Sequence, residues 1–202
     1  MQAAAILIGS YLLGSIPFGL IIVRAWKGID IRDYGSGNIG ATNVLRTAGK
    51  GPAAVVFVAD VAKGLIPIIA ARRVFPSNDW LIVGSGMAAI IGHAASVFLR
   101  FRGGKAVATS LGVAIGLTPP VAGIGFGLWF VLLALTRYVS IASITTTLVT
   151  VPLMFAFHCP AAVKVFGAVA SAFILMKHRS NISRLMQHKE PRIGQKVSLP
   201  EG

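Results

Sequence analysis

AVATSLGVAIGLTPPVAGIGFGLWFVLLALT, residues 106–136, decides how many times this chain crosses a membrane. The run is apolar, but Thr118-Pro119-Pro120 divides it into about 12 residues before the break and about 16 after it. Proline has no N–H and its ring collides with the preceding turn. One helix cannot pass through the pair without losing backbone hydrogen bonds that lipid does not replace. The stretch therefore reads as a short helix, a turn and a return helix. Crossing a hydrocarbon core of about 30 Å takes about 20 residues, and on that scale five further spans stand out at about 2–23, 53–71, 80–99, 138–157 and 160–176. The expected fold is an all-α polytopic membrane protein with seven transmembrane helices, forming one membrane-embedded domain over residues 1–202.

Composition agrees. At 55% hydrophobic and 12% charged, with mean hydropathy +0.77, the chain is too apolar for a soluble fold. A net charge of +13 would suit nucleic acid, but the basic residues lie between apolar runs of near-spanning length. They read as topology signals and anion ligands, and no nucleic-acid partner is expected. With the N-terminus outside, Arg24, Lys27, Arg32, Arg46, Lys50, Arg100, Arg102, Lys105, Arg137, Lys177, Arg179, Arg184, Lys189, Arg192 and Lys196 all face the cytoplasm, fifteen of the nineteen Lys and Arg. Arg72, Arg73 and Lys164 stay outside, and Lys63 falls within the second span. A single long span over 106–136 would move the basic C-terminal tail outside, so the positive-inside rule favours the hairpin, N-terminus out and C-terminus in. The first segment lacks a basic n-region and a cleavage site and reads as a retained span. Cys159, the single cysteine, forms no internal disulfide or cysteine-rich metal site and reads as a lipid-side residue.

Three polar segments carry the chemistry. Between the first two spans, Tyr34-Gly35-Ser36-Gly37-Asn38-Ile39-Gly40-Ala41-Thr42-Asn43-Val44-Leu45-Arg46 holds three glycines and two asparagines that let backbone N–H groups turn inward. With Arg46 close by, that suits a phosphate or acyl-phosphate group; a flexible polar linker is the other reading of the same residues. Arg100-Phe101-Arg102-Gly103-Gly104-Lys105 leads into a short helix whose free N–H groups and lysine attract phosphate, or it is a basic turn that sets topology. It is not a Walker A loop, because Ala106 follows Lys105. After the last span, helical spacing puts His178, Asn181 and Arg184 near one face, as substrate donors or as a basic amphipathic tail on anionic lipid. Within the spans, Asp60 and Lys63 read as an intrahelical ion pair, Ser143 lies about one turn into the sixth helix, and His93 reads as a structural histidine donating to a neighbouring helix. No metal site is expected.

Ser36-Gly37-Asn38-Ile39-Gly40-Ala41-Thr42-Asn43, then Gly103-Gly104-Lys105 with Val107-Ala108-Thr109, then His178 and Asn181-Ile182 with Arg184-Leu185, resemble in order and spacing the three signature motifs of the bacterial acyl-phosphate:glycerol-3-phosphate acyltransferase (PlsY) family. The resemblance covers essentially the whole chain. It implies a seven-helix enzyme of the bacterial inner membrane, its active site facing the cytoplasm, passing an acyl group from acyl phosphate to the 1-hydroxyl of sn-glycerol 3-phosphate without a cofactor. The products are lysophosphatidic acid and phosphate, the first committed step of phospholipid synthesis. By similarity, Ser36, Asn38 and the backbone around Gly37, Gly40, Ala41, Thr42 and Asn43 serve the acyl phosphate. Arg46, Lys105 with Gly103 and Gly104, Ser143, His178 and Asn181 serve the glycerol phosphate, and Ser36, Asn38, Lys105 and His178 are the catalytic set. Because the donor is already activated, a phosphate oxygen is expected to take the hydroxyl proton, with His178 as the rival base. The more widespread glycerol-phosphate acyltransferases use a His and an Asp separated by four residues, and none of His93, His158, His178 or His188 has an Asp five positions later, which points to a donor other than acyl-CoA or acyl carrier protein. The chain departs from the family pattern at Ala106 and His188, where glycines are usual, and at Ala94-Ala95, where Phe-Pro is usual. A membrane transporter of a phosphorylated metabolite is the alternative from another class, and a lipid phosphatase a third. The partners expected are the two substrates and membrane lipid; oligomeric state is not legible.

Overall fold

The structure, a computed structural model, describes residues 1–195; Lys196 of the basic tail lies outside the described residues. Ten α-helices run in the order α1 Gln2–Ser15, α2 Phe18–Lys27, α3 Ala41–Thr47, α4 Lys50–Val74, α5 Asp79–Ala94, α6 Val107–Leu117, α7 Pro119–Thr136, α8 Val139–Ala156, α9 Ala161–Lys177 and α10 Arg179–Met186. Short 3-10 turns occupy Ile31–Asp33 and Val97–Leu99. Among the described residues, four segments are long and apolar enough to cross a bilayer: Gln2–Lys27, Lys50–Val74, Pro119–Thr136 and Val139–Ala156. The pair α9 and α10, bent by 55°, makes a fifth, while α5 and α6 are shorter apolar helices.

The hairpin read at Thr118 is present. Thr118 alone separates α6 from α7, accepting from the Ala122 N–H at 2.9 Å while its own N–H bonds the Ala114 carbonyl at 2.8 Å. Pro119 and Pro120 sit in the first turn of α7, where a missing N–H costs nothing.

Three boundaries differ from the sequence reading. The first span is two helices, because Pro17 forces Ile16 into an extended conformation (φ −59°, ψ 118°). The span expected over 80–99 ends at Ala94, beyond which Ser96 bonds the Ser15 carbonyl at 2.5 Å and the chain turns back. The 24–52 connection, read as an anion loop or a flexible linker, contains α3 and packs with its neighbours around an apolar core of Val23, Ile31, Ile39, Val44, Ala53, Val56 and Leu99. Cys159 also differs, packing half-buried against the main bundle core.

Helices pack through small residues, as expected where lipid supplies no hydrophobic drive between them. Gly64 of α4 lies against the Thr109 carbonyl of α6, and Gly14 of α1 against the Ala89 backbone of α5. A methyl at Gly64 would overlap that carbonyl, so Gly64→Ala is expected to cost about 1–3 kcal/mol. It should lower the thermal midpoint of the detergent-solubilised protein. Gly51→Ala on the same helix, facing open space, should not.

Candidate functional site

Asn43 shapes the first polar loop. Its side chain, 1% exposed, donates to the carbonyls of Ile31, Tyr34 and Asn38 at 3.3, 3.0 and 2.9 Å and accepts from the Ser36 N–H at 2.9 Å. Those bonds occupy its NH2 and one lone pair of its oxygen, so Asn43 holds the loop together. Asn38 Oδ1 accepts from the Gly40 N–H at 2.9 Å, so its NH2 is the end left to donate elsewhere. Ala41 and Thr42 open α3, where N–H groups have no preceding helical carbonyl.

Cations converge beside this loop. Arg46 donates through one terminal nitrogen to the Pro191 carbonyl at 3.1 Å, while its Nε is buried without a partner. Lys105 precedes the first residues of α6. Burial, reinforced by Arg184 and Arg46 and opposed by Glu190, brings its pKa down to about 8. Asn181 Nδ2 and Arg184 Nε each bond Glu190, at 2.7 Å, one to each carboxylate oxygen. Burial works against the Glu190 charge, but these two donors outweigh it and hold the carboxyl below its ordinary value. His178 is buried at the bend between α9 and α10, with Nδ1 2.8 Å from the Ile174 carbonyl. Facing a carbonyl, Nδ1 carries the proton and Nε2 keeps its lone pair. Burial, then the Lys105 charge, hold its pKa below the ordinary value.

All of this opens on one cavity of about 480 Å³. Of the residues singled out from the sequence, Ser36, Asn38, Gly40, Ala41, Thr42, Asn43, Arg46, Lys105, Ser143, His178 and Asn181 line it; Gly37, Gly103 and Gly104 do not. Gly37 takes a left-handed conformation (φ +66°) that turns the loop. Gly103 and Gly104 are packed on His93, so their lack of a side chain admits that residue rather than a ligand. Beyond the cations the cavity continues between α7, α8 and α9 past Phe126, Trp129, Met154 and Phe166, and Trp129 Nε1 donates to Ser143 Oγ at 3.1 Å. By helical rise, Ser140 to Met154 spans about 21 Å along α8. Sequence reasoning missed Glu190; its signal was its being the sole acidic residue between Lys177 and Lys196.

The family model for glycerol-3-phosphate acyltransferase matches residues 4–188. The glycerol-3-phosphate acyltransferase of Synechococcus elongatus is 45% identical over 205 aligned residues, covering 98% of both chains. That of Gloeobacter violaceus is 46% identical over 195 residues, covering 95% of both. The crystal structure of PlsY (YgiH), an integral membrane glycerol 3-phosphate acyltransferase, matches in its glycerol 3-phosphate form with a TM-score of 0.92 at 42% identity over 96% of each chain. Its lysophosphatidic acid form matches with a TM-score of 0.90 at 42% identity, over 96% of this chain and 97% of that one.

Ala106, between Lys105 and α6, is left-handed (φ +61°) and 1% exposed. A Cβ in that conformation is strained by about 1–2 kcal/mol, part of which glycine returns as backbone entropy lost on folding. Ala106→Gly is therefore expected to stabilise the protein by about 0.5–1 kcal/mol, read as a raised thermal midpoint.

Proposed function

The chain belongs to the glycerol-3-phosphate acyltransferase family, and on that premise we propose that it transfers an acyl group from acyl phosphate to the 1-hydroxyl of sn-glycerol 3-phosphate. The hydroxyl oxygen attacks the acyl carbonyl carbon, the bond from that carbon to the phosphate oxygen breaks, and lysophosphatidic acid and inorganic phosphate leave. The observation that carries this reading is the two-part cavity: Arg46, Lys50, Lys105 and Arg184 at its polar end, where the Glu190 carboxylate is already engaged by Asn181 and Arg184, and an apolar interior beyond. Such a space takes two anionic groups and one hydrocarbon chain together.

In this reading Arg46, Lys105, Ser143, His178 and Asn181 hold the glycerol phosphate. Ser36, the Asn38 NH2 and the N–H groups from Gly37 to Thr42 serve the acyl phosphate and the oxyanion that develops at its carbonyl. The donor is already activated, so positioning supplies most of what the protein must contribute. His178 is a weak base with its lowered pKa, but its bare Nε2 suits it to accept a hydrogen bond from the glycerol hydroxyl. A phosphate oxygen then receives the proton. We read the chain as seven helical units, N-terminus out and C-terminus in, with this site at the cytoplasmic face of the bacterial inner membrane. The basis is the placement of Lys and Arg and the order of the apolar helices. α6, at 11 residues, is only about 16 Å long. Of its approach, Arg100, Phe101 and Arg102 are exposed, while Gly104 and Ala106 are buried.

The direct test is release of inorganic phosphate by purified protein in lipid given palmitoyl phosphate. Release is expected only with sn-glycerol 3-phosphate present. Lys105→Ala should lower kcat/KM for the acceptor about 10- to 100-fold, the worth of a charge-assisted hydrogen bond. Release without acceptor would make the protein a phosphatase.

The lysine also sets a pH dependence. Its charged form is lost as pH rises through about 8, so KM for glycerol 3-phosphate should climb above that pH, approaching about tenfold per unit, with kcat held at saturation. Lys105→Arg, permanently charged, should flatten the climb.

A further inference from the structure

We propose that His93, backed by Asp60, is the positioning residue for Lys105; His93 and Asp60 are both buried in the helical bundle and border the same cavity. His93 stands in the last turn of α5 and is 3% exposed. Its carbonyl accepts from the Gly104 N–H at 3.1 Å, and its ring lies against Gly104 so closely that a methyl there would overlap Nε2. On the other side of the ring, Nδ1 is 3.2 Å from Thr109 Oγ1 in the first turn of α6. One residue thus grips the chain immediately before Lys105 and again four residues after it. Asp60 of α4 stands 3.6 Å from the same Nδ1. It is in turn fixed by Lys63 at 2.8 Å, whose ammonium also bonds the Ile16 carbonyl at 2.9 Å. The ring therefore cannot swing without taking the partner of a buried hydroxyl away and leaving the carboxylate to Lys63 alone. A lysine has several rotatable bonds and finds its anion only if its backbone is held; His93 holds it.

The proposal rests on Lys105 binding the acceptor phosphate, and the test separates the two. Glycerol 3-phosphate binding is measured by calorimetry on the full-length protein in lipid, for wild type, His93→Asn, Lys105→Ala and the double variant, alongside KM for both substrates and thermal midpoints. His93→Asn is expected to weaken glycerol 3-phosphate binding about tenfold while KM for acyl phosphate and kcat stay within about threefold, and to have no further effect when Lys105 is already alanine. His93→Gln, which still reaches Gly104, should recover part of the loss. Equal losses in both backgrounds, or a matching rise in KM for acyl phosphate, would overturn the positioning role and leave His93 as a structural or direct contact. Unchanged binding in Lys105→Ala would instead remove the lysine's assignment and the inference with it. If His93→Asn does not fold, Thr109→Val, which removes the hydroxyl beside Nδ1, carries the same comparison.

Discussion

An ammonium group sealed within a bundle of apolar helices has to be neutralised where it stands, because neither water nor lipid reaches it. Lys63, 1% exposed, meets this constraint with the Asp60 carboxylate and the Ile16 carbonyl. That carbonyl is available only because Pro17 breaks the first span, so the break, the lysine and the carboxylate form one unit. Neighbouring irregularities are answered in the same way: Ser96 bonds the Ser15 carbonyl and the Tyr11 hydroxyl bonds the Ala95 carbonyl. The ends of α1 and α5 thus satisfy each other inside the bundle, where open backbone would be costly.

The polar end of the cavity follows the opposite logic. Arg46, Lys105 and Arg184 are gathered around one carboxylate, and Arg46 Nε is left buried without a partner. Repelling cations drawn together in partial burial destabilise the empty protein, and a bound anion would remove that repulsion. Burial is the main cause of the lowered Lys105 pKa, with Arg184 and Arg46 adding to it against Glu190, and a phosphate beside the lysine would supply the charge that burial denies it.

Legibility in the sequence tracked how local each signal was. The turn at Thr118 was readable because two successive prolines stop any helix, whereas Pro17 sits in an unbroken apolar run and reveals its effect only through Lys63, far along the chain. The end of α5 was obscured by Val97-Phe98-Leu99, of which Leu99 packs into the loop core while Val97 and Phe98 are exposed, so that the run does not continue a span. Arg46, Lys105, His178 and Asn181 were singled out by their chemistry and by the family resemblance, and the fold brings all four to one cavity. Asn43 and the glycines of 103–104 were legible as important but not in role, since an amide can bind backbone as well as substrate and a missing side chain can admit a histidine as well as a phosphate. Glu190 was hidden because its partners, Asn181 and Arg184, lie across a turn whose shape no spacing rule supplies.

That turn explains why residues other than glycine persist at two strained positions. At the end of α10 the Lys189 N–H bonds the Arg184 carbonyl at 2.8 Å and the His188 N–H bonds the Leu185 carbonyl at 3.1 Å, the pattern of a Schellman closure with His188 left-handed at φ +54°. Ala106, left-handed at φ +61°, makes the corresponding reversal before α6. Each strained residue stands next to, or two residues before, a charge that the cavity needs: Lys105 beside Ala106, Glu190 after His188. Glycine would relieve the strain but would also loosen the unfolded and the locally open chain on which those charges ride. A left-handed alanine with a buried Cβ, gripped on both sides through His93, keeps the reversal in one conformation, and that rigidity is what a flexible lysine requires of its backbone.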